Sequence, residues 1–290
     1  MSVSHIRNPI EWSGAALVQM GRNFGTALNA LQGERVHAHV TAPVIHKITI
    51  TDLFVALRKG SEDFAAYRSD VVVLCLVYVV AGLVISRLTL GQGLLPMLFP
   101  LASGFAILGP LFGVGLYEMS KRREQGAPES WTNAFAVTRE EGFTAIVILG
   151  TLLIFEFLVW LAAAYLIFRL TMNPATADSA QRFVTAVFTT PGGYALIGIG
   201  CGVGFLFALL ALCLGILSFP MLIDNGRIGL ENALVASFRA VALNPVPLTL
   251  WGLIVAGSLI LGTLPFFLGL VVVLPVLGHG TWHLYRRLTG

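Results

Sequence analysis

Apolar residues in this chain fall into long runs separated by short charged segments. Six runs stand out, at about residues 71–89, 94–117, 142–168, 193–220, 248–264 and 266–285. About 20 residues of helix cross the hydrocarbon core of a bilayer, so each run predicts a membrane-spanning helix. Gly91-Gln92-Gly93 predicts a turn between the first two. The last two come from one stretch, Ala240 to Tyr285, that holds no Asp, Glu, Lys or Arg and is too long for one crossing. Pro265 divides it, because proline interrupts a helix and suits a turn.

The polar segments carry a pattern of their own. Asp52-Leu-Phe-Val-Ala-Leu-Arg58 precedes the first pair of runs, Asn133-Ala-Phe-Ala-Val-Thr-Arg139 the second, and Asn232-Ala-Leu-Val-Ala-Ser-Phe-Arg239 the third. In the third, Leu230, Leu234, Phe238 and Val241 recur at helical spacing, as in a helix lying in the membrane interface. The expected fold is all-α: a polytopic membrane protein of six transmembrane helices in three hairpins, each preceded by a short amphipathic interfacial helix. Residues 47–290 form the membrane domain. Residues 1–46 read as a flexible cytoplasmic extension, in which Gly14, Gly21 and Gly25 oppose a rigid helix and His37, His39 and His46 are solvated.

Composition agrees with this class. Hydrophobic residues make up 56% and charged residues 11%, and the mean hydropathy is +0.83. Soluble domains carry roughly 25% charge. With six spans, 15 of the 18 Lys and Arg residues fall on the side of the two termini and 3 on the other. The positive-inside rule then places both termini in the cytoplasm, of a bacterial inner membrane on this reading. A net charge of +3 gives no reason to expect nucleic acid. Cys75, Cys201 and Cys213 lie inside apolar runs without CxxC spacing, so neither a disulfide framework nor a zinc site is suggested.

Few residues carry candidate chemistry. Glu156 is the one charge in the run 142–168. A carboxyl at mid-bilayer costs at least about 2.5 kcal/mol, so it is buried, protonated, paired or functional, for example as a proton or cation site. His279 and His283 are four apart and share a helix face. With Glu118 and Asp224, also at cytoplasmic span ends, they form a possible metal set. The other reading is a polar rim, with Trp282 and Tyr285 as an aromatic belt and Arg286 and Arg287 as anchors. Gly109/Gly113 and Gly198/Gly202 have the GxxxG spacing of helix packing. No G-x-S-x-G, H-E-x-x-H or P-loop is present.

The segments Gly115-Leu-Tyr-Glu118-Met-Ser, Ser218-Phe-Pro220-Met-Leu-Ile-Asp224, Ser237-Phe-Arg-Ala-Val-Ala-Leu-Asn244-Pro245 and Leu274-Pro-Val-Leu-Gly-His279-Gly-Thr-Trp-His283-Leu-Tyr-Arg286-Arg are similar to a family of uncharacterised bacterial integral membrane proteins, a domain of unknown function. The resemblance covers about residues 43–287. Members are sometimes loosely labelled cytochrome c oxidase subunit I. That label does not fit literally, since here only His279 and His283 lie in a span. The resemblance implies location and fold, but no activity or cofactor. The leading expectation is a non-enzymatic accessory, scaffold or assembly component of a membrane complex, with the lipid bilayer and other membrane proteins as partners. The alternatives are a small transporter or proton/cation-coupled permease using Glu156, and a metal- or haem-associated protein using His279 and His283.

Overall fold

The computed structural model describes residues 43–91, 94–128 and 130–290. The expected extension lies outside them up to residue 42, and His37 and His39 with it. At His46 the backbone N–H donates to Leu288 O at 2.8 Å, and the carbonyl accepts from Asn244 Nδ2 at 3.1 Å.

Every regular element among the described residues is helical. Helix α1 spans Ile50–Gly91 and is about 63 Å long at 1.5 Å per residue. It absorbs both the amphipathic segment at 52–58 and the first apolar run, where separate elements were expected. The linking residues explain this. Between Arg58 and Val71 there is no proline, and the single glycine, Gly60, serves a helix contact described below.

The second run is segmented. A 3₁₀ turn at Leu95–Met97 leads into α2 (Leu98–Ile107), α3 (Gly109–Phe112) and α4 (Val114–Glu124). Pro110 lacks an N–H and breaks the hydrogen-bond ladder. The bonds Leu108 N–H to Gly104 O at 2.8 Å, Phe112 N–H to Leu108 O at 3.0 Å and Tyr117 N–H to Gly113 O at 2.9 Å carry the helical path across the breaks. The second amphipathic segment is a 3₁₀ helix, Trp131–Arg139.

Helices α5 (Phe143–Thr171), α6 (Ala180–Thr189), α7 (Pro191–Gly215) and α8 (Ser218–Asp224) follow. Helix α7 starts with proline in its first turn, and Thr190 Oγ1 accepts from Gly193 N–H at 3.0 Å, a regular N-cap. Then come α9 (Gly229–Leu243), α10 (Pro245–Thr263) and α11 (Leu270–Thr289). Between α10 and α11, Phe266 and Phe267 adopt positive φ angles of 51° and 66°, so the chain reverses just past Pro265. The last helix therefore begins four residues later than the apolar run. On α9, Ala233, Ala236, Ser237 and Ala240 are buried, while Phe238 of the expected apolar stripe is exposed.

Among the described residues, three helices are long and apolar enough to cross a membrane: Phe143–Thr171, Pro191–Asp224 (α7 running on into α8) and Pro245–Thr263. Two of the other runs fall short of that measure for visible reasons. Kinks divide the second run, and α11 ends in His279, His283, Arg286 and Arg287.

The most extensive helix pair is α1 with α11. A glycine pair permits it. A Cβ on Gly60 would lie 2.6 Å from both Gly280 N and Val276 O. Gly142 and Gly226 play the same part between the start of α5 and the end of α8, where a Cβ on Gly142 would lie 2.4 Å from Leu222 O. The expected packing glycines behave differently. A Cβ on Gly109, Gly198 or Gly202 would meet nothing within 4 Å, and one on Gly113 would meet only the side chain of Tyr117 in its own helical path. Close helix approach inside the chain thus uses Gly60/Gly280 and Gly142/Gly226, not the GxxxG pairs.

Candidate functional site

The Gly60–Gly280 contact brings the start of α1 against the end of α11, and α4 closes the third side. Their polar side chains meet there in a buried cluster. Asp63, on α1, is its centre at 4% exposure. Its Oδ1 accepts from Arg123 Nη1. Its Oδ2 accepts from Ser120 Oγ at 2.6 Å and lies 2.9 Å from His283 Nε2. Burial pushes the Asp63 carboxyl up. The hydrogen bonds from His283 and Ser120, together with the two imidazoles, outweigh burial and hold it at about 2.

His279 is fully buried and stacks on Tyr67, with ring centroids 6.1 Å apart and planes 11° from parallel. Its Nδ1 lies 2.8 Å from Ser120 Oγ. The single hydroxyl proton of Ser120 goes to Asp63, so Nδ1 must donate to Ser120. Nε2 then carries the lone pair, and it has no hydrogen-bond partner. This excludes a hydrolase reading of the Ser–His–Asp set. The imidazole nitrogen facing the hydroxyl already bears a proton, so it cannot take one from Ser120. Ser120 is also fully buried.

The cluster continues along α11 as a row of alternating charge. His283 Nδ1 lies 3.6 Å from Glu124 Oε1, and Glu124 Oε2 lies 3.0 Å from Arg286 Nε. Arg286 grips Asp224 with two bonds, Nη1–Oδ2 at 2.9 Å and Nη2–Oδ1 at 3.1 Å. Tyr285 donates to the same carboxylate at 2.7 Å, and the guanidinium lies 4.8 Å from the Trp282 ring centroid. Such bidentate, stacked arginine pairs are among the stronger polar contacts. The row ties α1, α4, α8 and α11 together at one end of the helices.

The expected ligand set is only partly assembled. His279 and His283 do meet a carboxylate, but it is Asp63. Glu118 is fully buried against Arg122 and Lys121, and burial pushes its carboxyl up despite those cations. Asp224 is held by Arg286 and Tyr285. Both acids are occupied by cations or donors, and no three His, Cys, Asp or Glu side chains among the described residues are placed to share a metal ion. Asp63 was missed because it lies more than 200 positions from the histidines, in a charged segment with no distinguishing spacing.

Glu156 stands apart from this cluster. It is buried at 6% exposure on α5, and neither carboxyl oxygen has a hydrogen-bond partner. Its neighbours on α7 are the Ala211 backbone and Cys213. One turn on, Trp160 Nε1 donates to Ser103 Oγ at 2.8 Å, a polar bridge from α5 to α2. A cavity of about 240 Å³ opens between α2–α4, α7, α10 and α11. Gly109 and Gly113 line it, which accounts for the space a side chain on Gly109 would enter; Glu156 does not line it.

No curated protein and no solved structure matches the chain. The matching family model covers α2 to α8, including Glu118, Glu156 and Asp224 but neither Asp63 nor the histidines, a narrower reach than the resemblance along the chain implied. Residues 98–224, under half of the chain, are similar to the family described as "Predicted integral membrane protein (DUF2189)", which with the long apolar helices supports an integral membrane protein.

Proposed function

We propose that the protein is a non-catalytic accessory, scaffold or assembly component of a membrane complex in the bacterial inner membrane, spanning the bilayer six times in three hairpins with both termini cytoplasmic. The observation that carries this reading is the open glycine face of α7. Gly198, Cys201 and Gly202 are exposed along one side of the helix, and side chains built on the glycines would touch nothing. In lipid, association rests on close backbone approach, and small residues at GxxxG spacing permit it. The occupant that fits this face is a transmembrane helix of another protein. The polar groups of the α1/α4/α11 cluster bond one another, which suits a rigid support.

The test is a photo-crosslinking amino acid placed at Cys201, with Leu166 on the exposed face of α5 as control. The expected result is a discrete adduct with one other membrane protein at position 201 only, lost in Gly198→Leu/Gly202→Leu. No adduct at either position rejects the reading, and an adduct with a second copy of this chain replaces it with a homo-oligomer.

A second reading, a small transporter using Glu156, draws support from the two unpartnered carboxyl oxygens of that buried side chain. It requires an aqueous path to Glu156, and the cavity beside α7 leaves that residue out.

A further inference from the structure

The cavity between α2–α4, α7, α10 and α11 has properties that simple packing does not require. Its volume is about 240 Å³. An engineered 150 Å³ protein cavity accepts benzene, so this one has room for roughly ten or eleven non-hydrogen atoms, far fewer than a whole phospholipid. Two of its lining positions are bare backbone. A Cβ on Gly109 would meet nothing within 4 Å, and one on Gly252 would meet only Leu212 Cδ2 at 3.8 Å. Phe105, Phe112 and Phe205 supply aromatic surface. Phe112 and Phe205 are also exposed, which places the open side of the cavity at them, facing the apolar exterior. Aromatic walls and flat glycine walls together select a flat, apolar ring system over a branched aliphatic one.

One polar feature gives the cavity a direction. Tyr117 and Thr281 both line it. Thr281 uses its own proton on Leu277 O at 2.8 Å. The Tyr117 hydroxyl, which can both donate and accept, is then the polar group at the wall. Gly113 is part of the same device, because a Cβ there would lie 2.5 Å from the Tyr117 hydroxyl oxygen. A hydroxyl on the ligand can donate to this group or accept from it.

We infer that this cavity is a binding site for a small flat aromatic molecule bearing a hydroxyl, entering laterally past Phe112 and Phe205 and hydrogen-bonding the Tyr117 hydroxyl. The site is independent of the α7 glycine face, since Gly198 and Gly202 do not line it.

The experiment measures saturable binding of tritiated 1-naphthol to the purified full-length protein in detergent by scintillation proximity, with unlabelled naphthol, 1-methoxynaphthalene and naphthalene as competitors. Wild type is expected to bind one equivalent, and to prefer naphthol over naphthalene by roughly three- to tenfold, the worth of one neutral hydrogen bond. Tyr117→Phe is expected to erase that preference while keeping naphthalene binding. Gly109→Leu and Gly252→Leu each put a side chain into the space at a position where a Cβ meets no close neighbour; each should abolish saturable binding at an unchanged or raised unfolding midpoint. Gly198→Leu, on the open face, should bind as wild type and so controls for partition into the micelle. Absence of saturable binding in the wild type overturns the inference. So does binding that survives both glycine substitutions. If neither filled variant folds, the naphthol preference and its loss in Tyr117→Phe decide.

Discussion

Asp63 is the point at which the cluster is most exposed to a single change. Asp63→Asn keeps the size of the side chain but removes its charge. It breaks the ion pair with Arg123 and weakens the bonds from Ser120 and His283. Removing one member of a buried pair costs about 3–5 kcal/mol, mostly because the other is left buried without compensation. Here the Arg123 side chain is 35% exposed and can reach water, whereas that of His283 is 8% exposed and cannot. The expected cost is therefore at the low end, about 3 kcal/mol. On the scaling for chains of this size, it lowers the thermal midpoint by roughly 6–12 °C. The assay is thermal unfolding in detergent, followed by circular dichroism and by tryptophan emission, since buried Trp282 lies on the charged row. Glu62→Gln is the control. Its exposed i,i+4 pair with Arg58 contributes at most about 0.5 kcal/mol. The double variant Asp63→Asn/Arg123→Met should recover part of the loss, because the stranded charge is gone. If Asp63→Asn unfolds within a degree or two of Glu62→Gln, the cluster does not hold the helix ends together and the argument fails.

Three further outcomes follow from the same structure. The Asp63 carboxyl is held at about 2, below its ordinary value, so its contribution is complete above the ordinary Asp range and is lost as the pH falls toward 2; wild type should lose midpoint steeply between pH 4 and pH 2, and Asp63→Asn should show a shallower fall over that window. Gly60→Val places a branched side chain against the Gly280 and Val276 backbone, which cannot yield as a side-chain tip can; we expect a loss of 3 kcal/mol or more, on the order of severe overpacking, against no measurable change for Gly198→Val in the same thermal assay. Reporter fusions test the topology: a phosphatase joined after Gly126 should be inactive and one joined after Asp178 active, and equal activity at both would rule out the six-span arrangement.

How far the sequence reached depended on the range of the interactions involved. Runs of apolar residues report their own environment, so the membrane class, the all-helical fold and the helices at Phe143–Thr171, Pro191–Asp224 and Pro245–Thr263 were legible from local pattern alone. The departures arose where a local signal had two uses. Gly60 looks like a helix breaker between a surface segment and a span, yet it marks where α11 crosses α1 without interrupting the helix. Gly109 looks like a packing glycine, yet its missing side chain opens a cavity. The partner of Gly60 lies on a helix far along the chain, and the other walls of the cavity at Gly109 come from α7, α10 and α11.

The polar cluster sharpens the point. The i,i+4 spacing of His279 and His283 correctly indicates that both imidazoles act on one face, but spacing within a helix cannot name what that face meets. Glu118 and Asp224 were reasonable candidates by depth in the membrane, since both lie at span ends. Depth alone does not separate an acid already held by a neighbouring cation from one aimed at an imidazole. Glu118 has Lys121 and Arg122 three and four residues on, the spacing that pairs them on a helix, so its commitment was readable locally. Asp63 also has a basic residue nearby, Lys59, but it turns inward because Gly60 and Gly280 bring their helices close enough to bury that side. The glycine contact is thus what converts an ordinary surface acid into the centre of the cluster. The two features should be lost together: a side chain at position 60 separates α1 from α11 and with it Asp63 from His283.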